Sequence, residues 1–72
     1  MRESERLMAE VQSMSDKVAE STDYQWFLYS SHPGDVSHYV FQDRVCLTVA
    51  EAYAHMTLIF TKWRLETYGD EN

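Results

Sequence analysis

The sequence predicts a small α+β domain with the element order helix, strand, strand, helix (αββα). Three observations support this fold class. Residues 1–23 contain no aromatic residue, Gly or Pro, residues 24–47 contain a strand-favouring segment interrupted by Pro33-Gly34, and residues 48–68 show a long apolar pattern at helical spacing. With 72 residues and 8.5 kDa, the chain is expected to form one domain, residues 1–72, around a single small core.

Residues 1–23 are predicted to form an acidic helix, from about Ser4 to Ser21, because they combine straight-chain side chains with the absence of helix breakers. A narrow apolar seam recurs along it every three or four residues: Leu7, Val11, Met14 and Val18. A stripe of this width is typical of a coiled-coil contact. Two alternatives stay open, namely packing onto this chain's own hairpin or packing onto another molecule.

Residues 24–47 are predicted to contain a β-hairpin, with strands over 24–31 and 36–42. Pro33 and Gly34 stand where a type II turn over His32–Asp35 requires them. We expect one aromatic sheet face made of Phe27, Tyr29, Tyr39 and Phe41, and an opposite face that holds Trp26, Leu28 and Val40. The segment 45–47 either extends the second strand or forms a third short one.

Residues 48–68 are predicted to form an amphipathic helix that packs across the hairpin, followed by a polar tail, residues 69–72. Thr48 and Glu51 have the spacing of a capping box, and Gly69 stands where a C-cap is expected. The apolar face of this helix is widened by Ala50, Ala54, Leu58, Ile59 and Leu65. The predicted core consists of Leu28, Val40, Leu47, Tyr53, Met56, Phe60 and Trp63.

Twelve acidic against six basic residues give a net charge of −6 and a pI of about 4.8. Nucleic acids and anionic membranes both require a basic face, so direct binding to either is not expected. Cys46 is the one cysteine, so no internal disulfide can form, and no apolar stretch is long enough to span a membrane. We therefore expect a cytoplasmic protein.

No residue pattern indicates catalysis, a metal or a cofactor, and we predict none of the three. Cys46 lies in an apolar Val-Cys-Leu run, which favours a buried and inert thiol over a nucleophile. The spacing of Cys46 from the histidines, His32, His38 and His55, matches no recurrent metal-ligand pattern. The chain has two glycines, so it contains no glycine-rich phosphate loop.

The predicted function is that of a non-catalytic protein-binding module. Its size and charge resemble, as a class, the small inhibitors and adaptors that phages and mobile elements encode, acting on a larger nucleic-acid-handling assembly such as a defence complex or a polymerase. We expect a protein partner with a basic surface, and a homodimer, because two apolar sheet faces and a helical seam exceed what one short chain covers. The candidate partner-binding residues are Glu10, Asp16, Glu20, Asp23, Trp26, Tyr29 and Tyr39.

Two alternatives to this function remain. In the first alternative, the protein is a homodimeric structural or assembly factor with no inhibitory role. In the second, it is a small DNA-binding regulator. The regulator would need its dimer to gather the basic residues of the second half of the chain, Arg44, Lys62 and Arg64, into one patch.

Overall fold

The computed structural model of the protein describes residues 2–30 and 37–69. Its elements are α1 (Glu3–Ala19), β1 (Trp26–Tyr29), β2 (His38–Phe41), β3 (Val45–Cys46) and α2 (Val49–Tyr68). The predicted α+β class, with helices at both ends of a hairpin, is confirmed. The segment after the hairpin forms a third short strand, whereas the predicted turn at His32–Asp35 lies outside the described residues.

Both ends of α2 follow the predicted capping signals. The Thr48 hydroxyl accepts a hydrogen bond from the Glu51 N–H at 3.1 Å, and the Glu51 carboxylate accepts one from the Leu47 N–H at 3.1 Å. At the other end, Gly69 has a φ of 71°, a left-handed conformation that glycine adopts without steric cost. Residues within four positions of each other therefore set the limits of this helix.

The two helices pack side by side and run in the same direction. The Thr57 hydroxyl donates to Met14 Sδ at 3.9 Å, and the Trp63 indole N–H donates to the Ser21 hydroxyl at 2.8 Å, so contacts advance along both helices together. Three strands separate the helices, which is why α2 returns parallel to α1. Val11 is fully buried in this packing. The apolar seam of α1, which contains Val11, therefore packs within the chain, and it packs against α2 rather than against the hairpin.

The sheet is antiparallel in the order β1-β2-β3, and its register overturns the predicted aromatic face. Trp26 pairs with Phe41 and Phe27 pairs with Val40. Residues directly opposite each other share a face, and a shift of one residue exchanges the faces. Phe41 and Tyr39 therefore lie on the inner face, towards the helices, whereas Phe27 and Tyr29 lie on the outer face.

The core lies between the inner sheet face and the two helices and consists of Val11, Val18, Phe41, Cys46, Ala52, Met56 and Trp63. From the predicted core, Met56 and Trp63 are buried, and Tyr53 and Phe60 pack against the cluster. The inclusion of Leu28 and Leu47 was wrong, since they are 52% and 54% exposed.

Position in the sheet explains these corrections. Leu28 belongs to the edge strand β1, two strands away from the contact between β3 and α2. Leu47 lies in the short link between β3 and α2. Val40 was also expected in the core, but its pairing with Phe27 puts it on the outer face, where it is half-buried.

Candidate functional site

The outer face of the sheet carries a largely apolar surface, here called the outer-face patch, which consists of Phe27, Tyr29, His38, Val40 and Val45. Phe27, Val40 and Val45 lie directly opposite one another and form one row across all three strands. Tyr29 lies opposite His38, with 6.2 Å between the ring centroids. Phe27 is 59% exposed, Tyr29 is 52% exposed and Val45 is 53% exposed. Large contiguous apolar patches are uncommon on the surfaces of monomeric soluble proteins.

The composition of β1 explains why the patch exists. A strand with one buried and one solvated face normally alternates apolar and polar residues. Trp26–Tyr29 contains four apolar or aromatic residues in succession, so the outward positions carry apolar side chains as well as the inward ones. Such a strand is typical of a sheet that is covered on both faces, yet α1 and α2 cover one face only.

The edge of β1 adds hydrogen-bonding capacity to the patch. Within residues 2–30 and 37–69, no strand pairs with the outer side of β1. Edge strands are usually protected by a charged residue, a proline or a bulge, and β1 contains no charge and no proline. Its backbone N–H and C=O groups are therefore positioned to pair with an extended segment of another molecule.

The three aromatic residues predicted to bind a partner lie on different faces. Tyr29 belongs to the outer-face patch. Trp26 lies on the inner face with its ring stacked on Phe41, the centroids 5.7 Å apart, and Tyr39 packs against the core from the same face. Sequence reasoning missed Phe27, Val40 and Val45 as surface residues, because their exposure depends on the cross-strand register.

The four acidic candidates do not form one continuous row. Glu10 is paired with Arg6 at 2.7 Å, and Asp16 accepts a hydrogen bond from Gln12 at 2.8 Å. Glu10 and Asp16 are six residues apart, which separates them by about 120° around a helix. Glu20 and Asp23, at and just beyond the end of α1, are exposed and form no ion pair within the part of the chain that the structure describes.

Three residues of types that enzymes use in catalysis, Asp43, Cys46 and His55, lie near the turn between β2 and β3. His55 and Asp43 connect α2 to this turn. His55 Nε2 lies 2.9 Å from Asp43 Oδ1, and its ring packs edge-on against Phe41 at 5.0 Å. Cys46 is 4% exposed, and burial raises the pKa of its thiol, an effect that the nearby Glu51 carboxylate strengthens. A nucleophilic cysteine requires a lowered pKa, so this environment disfavours the reactive thiolate.

Across residues 2–30 and 37–69, no three His, Cys, Asp or Glu side chains are grouped so that they could hold a metal ion. Neither helix in these ranges is both long and apolar enough to cross a membrane. Comparisons of the chain with protein-family models, with curated proteins and with solved structures found no match.

Proposed function

We propose that this protein is a non-catalytic protein-binding module whose contact surface is the outer-face patch. The observation that carries the proposal is the row of Phe27, Val40 and Val45 across the sheet, on the face that the two helices leave uncovered. Aromatic side chains bury a large area at low entropic cost, which suits Phe27 and Tyr29 as central contacts. The outer edge of β1, which no strand of the described residues covers, supplies backbone hydrogen bonds beside them.

The charge distribution supports a partner that is basic around an apolar centre. The patch itself contains no ionised carboxylate, whereas the chain carries a net charge of −6. Exposed carboxylates such as Glu20 and Asp23 would attract a basic rim during encounter and repel an acidic one. A narrower form of this proposal is that the protein acts in the cytoplasm as an inhibitor or adaptor of a larger nucleic-acid-handling complex, as small phage proteins do. Size and charge alone support this narrower form.

The two basic residues of α2, Lys62 and Arg64, do not support direct DNA binding, because they are two positions apart and project from different sides of the helix. The guanidinium of Arg64 lies over the Phe60 ring, 5.8 Å from its centroid. Lys62 lines a groove that also contains Asp23 and Glu66. A phosphate-binding surface requires basic side chains on one face, without carboxylates among them.

The test compares the parent with a patch variant and a matched control. The patch variant carries Phe27→Thr and Val45→Thr, which keep strand propensity and remove apolar surface. The control is Leu47→Thr, since Leu47 is as exposed as Val45 but lies outside the patch. Each tagged protein is used to capture partners from a lysate of its native cells, and the captured proteins are quantified by mass spectrometry.

We expect the parent and the control to retain the same protein partner and the patch variant to lose it by more than about tenfold, as loss of central aromatic contacts does. The association rate of the purified partner should fall as salt increases, because salt screens the attraction. Equal retention of the partner by all three proteins, each shown to be folded by circular dichroism, would refute the patch as the binding surface.

A further inference from the structure

The register of the sheet identifies which backbone groups of β1 point towards its outer edge. The Phe41 N–H donates to the Arg44 carbonyl at 2.8 Å, so the backbone groups of Phe41 point towards β3. In an antiparallel pair, residues that lie opposite each other alternate between bonding to each other and pointing away. Trp26 lies opposite Phe41, so the N–H and C=O groups of Trp26, and of Leu28 two residues later, point away from β2. These are the groups that an added strand would bond.

A groove between α1 and the start of β1 adjoins the inner side of this edge. Its volume is about 270 Å³, and its lining includes Asp16 of α1 and Trp26 of β1. Leu28 lies on the same face of the strand as Trp26 and is 52% exposed, so the helices leave this part of the inner face open. The inward side chains of a strand added beside β1 would therefore enter the groove next to Trp26 and pack on Leu28.

The charge in this groove favours a basic side chain. Asp16 lines the groove, whereas Lys17, the next residue of α1, does not. Asp16 accepts a hydrogen bond from Gln12 at 2.8 Å and forms no ion pair within residues 2–30 and 37–69. The exposed Glu20 follows Asp16 by about one helical turn. Carboxylates that no cation neutralises attract lysine and arginine, so the inward position beside Trp26 suits a basic residue.

We propose that the partner of the outer-face patch adds an extended segment to the outer edge of β1, and that apolar and basic residues alternate in this segment. Its backbone bonds to Trp26 and Leu28. Its outward apolar side chains lie beside Phe27 and Tyr29 and extend the patch, because neighbours on adjacent strands share a face. An inward basic side chain reaches Asp16. This inference rests on the proposed function and adds which secondary structure and which side chains the partner presents.

Charge also favours such a segment over the same edge of a second copy. Strand β1 contains no basic residue, so a second β1 would place no cation against Asp16. Pairing two β1 edges about a twofold axis would put both α1 helices on the same face of the joined sheet. The acidic grooves would then approach each other in chains that each carry a net charge of −6, and like charges oppose association.

Amide hydrogen exchange measured by NMR tests the strand addition. The probe is a short synthetic peptide in which valine alternates with lysine. We expect it to slow exchange of the Trp26 and Leu28 amides by more than about tenfold at saturation, because those amides gain hydrogen bonds. The amides of Phe27 and Tyr29, which bond to β2, should change less. Absence of binding, or binding that leaves Trp26 and Leu28 unprotected, would overturn the proposal. Protection of the same amides in the protein alone as its concentration rises would show that a second copy occupies the edge instead.

The dissociation constants of matched peptides and variants test the charge preference. A peptide in which glutamate replaces each lysine should bind at least about tenfold more weakly. Asp16→Lys should weaken binding of the lysine peptide about fivefold more than Glu10→Lys does, because Glu10→Lys makes the same change of charge on another side of α1. Equal weakening by the two variants would show that the groove does not select a basic residue.

The native partner separates this inference from the proposed function. If the variant with Phe27→Thr and Val45→Thr loses the partner, but the partner leaves the Leu28 amide of the parent unprotected, the patch is the contact surface and the strand addition is wrong. If the partner protects the Leu28 amide and the patch variant still retains it, the edge holds the partner and the proposed role of the patch is wrong.

Discussion

Replacing Met56 by alanine tests the placement of the core most directly. Met56, in α2, is 0% exposed and belongs to the core between the two helices and the inner sheet face. Truncating a fully buried methionine to alanine costs about 2–5 kcal/mol, since it removes apolar contacts and leaves a cavity. A domain of this length has a total stability of about 4–11 kcal/mol, so Met56→Ala should remove a large part of it.

The assay is thermal unfolding followed by far-ultraviolet circular dichroism, with urea unfolding to give the free energy. In a domain of this size each kcal/mol shifts Tm by about 4–8 °C, so Met56→Ala should lower Tm by about 10 °C or more. The control is Leu47→Ala, which should cost about 1 kcal/mol or less because Leu47 is already 54% exposed. Equal losses for the two variants, or a larger loss for Leu47→Ala, would show that the core has been placed wrongly.

Two further predictions concern pH. The hydrogen bond from His55 holds the pKa of Asp43 below its usual 3.8. The ionised carboxylate therefore stabilises the fold above pH 3.8, and this contribution is lost as the pH falls through the lowered pKa. Acid melts of Asp43→Asn should therefore depend less on pH than those of the parent; identical profiles would contradict this link. Burial raises the pKa of Tyr24 to about 12, because the ionised phenolate is disfavoured in the fold. The folding free energy therefore does not depend on this group below pH 10, and the fold loses stability as the pH rises towards 12. Within the described residues the Tyr24 hydroxyl has no hydrogen-bond partner, so Tyr24→Phe should raise the free energy of unfolding by up to about 1 kcal/mol in urea melts at neutral pH. At alkaline pH the variant should lose less stability than the parent. A clear loss of stability at neutral pH would mean that the hydroxyl is hydrogen-bonded.

The candidate site shows how far sequence reasoning reaches. The sequence indicated Tyr29 as a partner-binding aromatic residue together with Trp26 and Tyr39, which lie on the inner face. Assigning Phe27 and Val45 to the same surface requires the register of all three strands. Part of that register was accessible, because a two-residue turn centred on Pro33 and Gly34 implies that Tyr29 lies opposite His38, which is the observed pairing.

The buried and exposed sides of α2 could be predicted only in part. The apolar pattern within α2 placed Met56 and Trp63 in the core correctly, but it assigned Leu58 to the same side, and Leu58 is 69% exposed. That choice depends on α1, which approaches from more than forty residues away in the sequence, as the contact between Met14 and Thr57 shows. The parallel course of the two helices depends in turn on β3, a strand of two residues that is too short for a periodic signal.

The sequence alone therefore determined the features that neighbouring residues control: two helices, an intervening hairpin segment, and the capping of α2 by Thr48 and Gly69. These features follow from hydrogen bonds and backbone preferences that act over about four residues. The tertiary structure decided which face of the sheet is buried and that the apolar seam of α1 packs on α2. It also decided that the outer-face patch, and Leu58 and Leu65 of α2, are exposed. Burial depends on contacts between residues distant in the chain, and a local pattern that is apolar on both sides does not determine those contacts.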